Sequence, residues 1–83
     1  MYELTFDSEA ISFLEKAEKV IAKRIWNKLQ STKENPHRYF ERLSERQDYK
    51  LRVGDYRALA DIDDQNKRIF VSLIGHRKNV YKK

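Results

Sequence analysis

Residues 49–62 read YKLRVGDYRALADI, two runs of alternating apolar and polar residues separated only by Gly54-Asp55. Period-two alternation marks a strand with one buried face. Two such runs split by a Gly-X dipeptide predict a β-hairpin, with Gly54 supplying the positive φ of a type II′ turn. Counting outwards from that turn opposes Val53 to Tyr56, Arg52 to Arg57, Leu51 to Ala58, Lys50 to Leu59 and Tyr49 to Ala60. Directly opposed residues share a face, so Tyr49, Leu51, Val53, Tyr56, Ala58, Ala60 and Ile62 form an apolar side suited to packing under helices. The other side carries Lys50, Arg52 and Arg57. Opposed like charges cost a few tenths of a kcal/mol, and an anion laid over them reverses the sign of that effect. The plainer reading is that the long side chains splay into water. A bulge at Gly54 would shift the register by one and scatter the three cations over both faces.

The rest of the chain places this hairpin in an α+β fold. YELTF alternates Tyr2, Leu4 and Phe6 with Glu3 and Thr5, which predicts a half-buried strand. Asp7 or Ser8 is a helix N-cap, with Glu9 in the first turn. From there to Glu34 no Gly or Pro interrupts, and Leu14, Ala17, Ile21, Ile25 and Leu29 recur at helical spacing. The segment is one long helix or, with a break near 15–19, a two-helix hairpin. Pro36 ends it by pushing Asn35 out of helical geometry. YFERL is a short strand or loop, DDQNK a polar turn, and RIFVSLI a near-continuous apolar run of the kind expected from a central strand covered on both faces. The expected architecture is an N-terminal strand, helix or helix pair, then three to four further strands in a mostly antiparallel sheet with helices on one face. The 83 residues have room for a single small domain, 1–83.

Composition excludes several chemistries. There is no cysteine, hence no disulfide and no thiolate metal site; this suits a reducing cytoplasm. The N-terminus lacks a basic flank followed by an apolar run, so no signal peptide is expected, and no stretch is long and apolar enough to predict a membrane span. With glycine only at Gly54 and Gly75 there is no phosphate-binding glycine loop. Asp61, Asp63 and Asp64 are read as solvated turn residues, and no metal or cofactor is expected. Residues 1–49 hold 9 Lys+Arg and 9 Asp+Glu, whereas residues 50–83 hold 9 against 4. The whole positive excess therefore lies in the C-terminal part, which favours a polyanionic partner there. The tail GHRKNVYKK enters a loop at the rim of the sheet, a common place for functional groups. It supplies His76, Arg77, Lys78, Tyr81, Lys82 and Lys83 as candidates; His37, in the loop beside Pro36, is a weaker one.

The element order, the stretch LRVGDYR and the final GHRKNVY together resemble the RelE/ParE toxins of prokaryotic toxin–antitoxin pairs, over nearly the whole chain. The resemblance implies the RelE-like microbial ribonuclease fold and, for RelE-type members, an endoribonuclease that cleaves mRNA in the ribosomal A site. There a ribose 2′-OH attacks the adjacent phosphate, leaving a 2′,3′-cyclic phosphate and a 5′-OH. Carried over by position, Arg57, Arg77 and Tyr81 match family active-site residues, and Lys50 and Arg52 fall where the family places basic residues on the preceding strand. His76, Lys78, Lys82 and Lys83 are secondary or RNA-binding candidates. Arg52 stands where some members have lysine, and arginine is a poor proton donor. The implied partners are a RelB-like antitoxin in a hetero-oligomer, the ribosome and mRNA. The same fold also implies an alternative, a ParE-like inhibitor of DNA gyrase without RNA cleavage; a non-catalytic nucleic-acid-binding module is a third.

Overall fold

A computed structural model describes residues 1–43 and 48–80. Strand β1 (Glu3–Phe6) leads into helix α1 (Ser8–Lys16), whose N-cap is Asp7: its carboxylate accepts the Glu9 backbone N–H at 3.0 Å. The helical segment is a hairpin. α1 stops at Ala17, which adopts an extended conformation, and α2 runs Lys19–Ser31. Thr32, fully buried, closes α2 by turning its hydroxyl onto the Leu29 carbonyl at 2.7 Å. A short helix α3 (Pro36–Tyr39) follows, where the sequence was read as loop or strand. Proline at its first turn is pre-set in φ and loses no helical hydrogen bond there. The remaining elements are strands: β2 (Glu41–Arg42), β3 (Tyr49–Val53), β4 (Tyr56–Asp63) and β5 (Arg68–His76).

The five strands lie in the order β1-β5-β4-β3-β2, antiparallel except that β1 runs parallel to β5. The β3–β4 register is the one counted from the sequence, residue for residue, from Val53↔Tyr56 to Tyr49↔Ala60. Gly54 has φ +60° while Asp55 does not share the positive region, which is the signature of a type II′ turn. A bulge does occur, but further on: between Leu59 and Ala60 the β5 strand carries one extra residue, Ser72, whose hydroxyl donates to the Leu59 carbonyl at 3.2 Å.

Helices cover one face only. Ala10 of α1 with Ile25 and Leu29 of α2 pack on Leu51, Val53, Ala58, Ala60, Ile62, Ile69, Val71 and Ile74, and the alanines of β4 let the helices approach closely. β5 is central, as expected, but is not covered on both faces. Phe70 stays 40% exposed on the side away from the helices, and the strand reads as continuously apolar because that open side also takes Leu73, paired with Leu59. Leu59, flanked by Lys50 and Leu73 on neighbouring strands, is nonetheless buried.

Tyr2, His37 and Asp64 fasten the end of the sheet remote from Gly54. The Tyr2 hydroxyl donates to Asp64 Oδ1 at 2.6 Å, and His37 Nε2 lies 2.7 Å from the same oxygen. Those two bonds hold the Asp64 carboxyl below its ordinary pKa, and the carboxylate in turn raises the Tyr2 phenol. Asp63 is lowered by donation from the Asn66 side chain and backbone within the β4–β5 turn. These contacts account for His37 and the aspartates of that turn as structural residues. Among the described residues no helix is long and apolar enough to cross a membrane.

Candidate functional site

Lys50 and Arg52 alternate with the buried residues of β3, and Arg57 with those of β4, so all three emerge on the face that the helices leave open. They line a pocket of about 190 Å³ together with Tyr39 and Glu41. β2 brings Glu41 there: it pairs with Lys50 in the ladder, and the carboxylate lies 3.6 Å from the ammonium. Arg57 is half-buried, and its guanidinium is steadied by donation from Nη1 to the Tyr56 carbonyl at 3.2 Å. Arg52 is exposed. On its other side Arg57 faces Gly75 of β5, so no side chain crowds it from that strand.

Arg77 reaches the same end of the sheet. Its backbone N–H donates to the Asp55 carbonyl at 2.8 Å, tying the last loop to the turn between Arg52 and Arg57. Its side chain is exposed and lies outside the walls of the pocket. Lys78 is exposed in the same loop. Tyr81, Lys82 and Lys83 lie outside the described residues.

His76 goes the other way. It pairs with Tyr56 on the helix-covered face, its ring edge-on to the tyrosine at 5.5 Å, and its Nδ1 accepts the Lys78 backbone N–H at 3.2 Å. It lines a larger cleft of about 410 Å³ with Phe13, Lys16 and Val80, on the opposite side of the sheet from the three cations. The geometry therefore separates His76 from Lys50, Arg52 and Arg57.

Tyr39 and Glu41 were missed from sequence. Both lie in YFERL, where two residues of β2 are too few to show a period, and nothing local announces that Glu41 will pair with Lys50. The one available signal was an acid and an aromatic just ahead of a basic strand.

What the pocket offers is three cations, one carboxylate and one aromatic ring on an open sheet face. That set suits a phosphodiester: guanidinium groups match phosphate oxygens in pairs, and a carboxylate beside them can accept a proton. Residues 4–81 match the family model of the ParE toxin of type II toxin–antitoxin systems, parDE. The chain belongs to this family. It is a type II toxin of the RelE/ParE superfamily. The toxin's fold is that of solved RelE proteins. It superposes on the toxin–antitoxin complex RelBE2 from Mycobacterium tuberculosis with a TM-score of 0.82 at 24% identity, covering 92% of this chain and 98% of that one. For the intact RelBE complex of E. coli the TM-score is 0.74 at 26% identity, with 92% and 96% covered. For the archaeal RelE–RelB complex from Pyrococcus horikoshii it is 0.78 at 17%, with 95% and 98% covered. Comparison with curated proteins found no match.

Proposed function

We propose that this toxin is a RelE-type endoribonuclease that cuts mRNA in the ribosomal A site in the cytoplasm, held silent by a RelB-like antitoxin in a hetero-oligomeric complex. The observation that carries the reading is the pocket itself: Lys50, Arg52 and Arg57 converge with Glu41 on the face that α1 and α2 leave open. The 2′-oxygen of one nucleotide attacks the adjacent phosphorus, forming O2′–P and breaking P–O5′, with a 2′,3′-cyclic phosphate and a 5′-OH as products. Negative charge grows on the non-bridging oxygens, where Arg57, pre-positioned by its bond to Tyr56, stabilises it. Glu41 is the acceptor at hand for the 2′-OH proton. Lys50 is the donor for the departing O5′, a task for which Arg52 is unsuited because a guanidinium does not give up its proton. Arg52 then holds RNA by charge, Arg77 closes on the phosphate from the rim, and Tyr81, by resemblance, orients the 2′-OH.

The test is cleavage of mRNA on translating ribosomes. Arg57→Ala and Arg77→Ala each abolish cutting while thermal unfolding stays near wild type; wild-type cutting by both overturns the mechanism. The matched family model is that of ParE, which supports a second reading, a gyrase inhibitor. Inhibition of DNA supercoiling by the purified toxin, with mRNA left intact, would replace the first reading with the second.

A further inference from the structure

Tyr39 is a large aromatic left 39% exposed between two anchors, Pro36 and Phe40, that are both buried. Phe40 packs in the core and its N–H closes α3 on the Pro36 carbonyl at 2.8 Å. These neighbours fix the backbone that carries Tyr39. From α2, Lys28 sets its ammonium over the ring at 5.1 Å, and Lys28 is not among the pocket's walls, whereas Tyr39 is. A cation therefore braces the ring from outside the pocket. Two residues on, Glu41 enters the ladder opposite Lys50.

A pocket with phosphate ligands on one wall and a fixed aromatic face on another matches a whole nucleotide, not a phosphate alone, because every base has a π-face to stack. We propose that Tyr39 is the base-stacking wall of this site and holds the base of the nucleotide whose 2′-oxygen attacks, next to Glu41. Tyr39 is a positioning residue: it registers the scissile phosphate on Arg57 by fixing the base attached to it. Among the described residues the other aromatic on this face, Phe70, pairs in the ladder with Asp61, a carboxylate that repels the phosphate such a base would bring. The inference rests on the nuclease reading.

The experiment is single-turnover cleavage of mRNA on programmed ribosomes, with toxin concentration varied. Tyr39→Ala raises the half-saturating concentration or lowers the cleavage rate about 5- to 150-fold, while Tyr39→Phe and Tyr39→Trp stay within about twofold of wild type. An mRNA made abasic at the nucleotide 5′ of the cut is cleaved as poorly by wild type as intact mRNA is by Tyr39→Ala, and combining the two changes adds little. The inference falls if Tyr39→Ala cuts like wild type, if Tyr39→Phe fails as badly as Tyr39→Ala, or if the abasic loss is undiminished in Tyr39→Ala. A wild-type toxin that leaves mRNA intact, or an Arg57→Ala variant that cuts normally, overturns the nuclease reading itself and this inference with it.

Discussion

Arg52 and Arg57 stand directly opposite each other across β3 and β4, on the face that no helix covers. A sheet gains nothing from that arrangement, so its removal separates stability from function. Arg52→Gln leaves the free energy of unfolding unchanged or raises it, by at most about 0.5 kcal/mol, because both groups are partly solvated. The gain shrinks with added salt. The same variant binds RNA more weakly, and the loss is also salt-dependent. Thermal unfolding and filter binding at two salt concentrations check both; a clear drop in midpoint would mean that the pair is not repulsive.

His76 packs edge-on against Tyr56 on the helix side of the sheet, away from the cations. His76→Ala therefore leaves the pH–rate profile of cleavage unchanged and lowers the unfolding midpoint modestly, through lost packing and the lost acceptor for the Lys78 N–H. A shifted pH profile at constant stability would return His76 to the chemistry.

Gly54 sits at φ +60°, where among the described residues a Cβ would meet only the tip of Arg24 at 3.5 Å. Space is not the obstacle; backbone conformation is. Gly54→Ala destabilises by about 1–2 kcal/mol, measured by urea unfolding. Because the turn sets the Arg52–Arg57 register, RNA affinity falls in the same variant.

Stability on the acid side depends on Asp64 and Asp63. Their carboxyls are held below the ordinary value by donation from Tyr2 and His37 to the first and from Asn66 to the second. A depressed carboxyl stabilises the fold above its unfolded pKa of about 3.9 and loses that contribution as pH falls through the folded value. Asp64→Asn thus flattens the decline of unfolding midpoint below about pH 4 without abolishing it, since Asp63 remains. The Tyr2 phenol is raised, so its contribution disappears only at alkaline pH, as pH rises through its folded value above about 10. Midpoints across an acid series for wild type and variant decide the point; identical curves would show that Asp64 is not linked to folding.

Much of this was legible in the amino-acid order because local chemistry acts over a few residues. Alternation and Gly54-Asp55 determine the hairpin, its register and the shared face of Lys50, Arg52 and Arg57, since a two-residue turn leaves one way to count. A cap at Asp7 or Ser8 follows from equally local rules, and the fold uses Asp7; the helical run, expected to end at Pro36, stops earlier at Ser31, and Pro36 instead opens α3. Tertiary structure decided what those rules do not reach. It closed the helix pair at Ala17, placed β1 parallel to β5 across most of the chain, and turned His76 away from the cations by one step in alternation after the Ser72 bulge. It also brought Glu41 to Lys50 and left Tyr39 standing at the pocket between two buried anchors. A two-residue strand and a four-residue helix carry no period of their own; their positions come from the surfaces they bury, and those exist only once the sheet has formed.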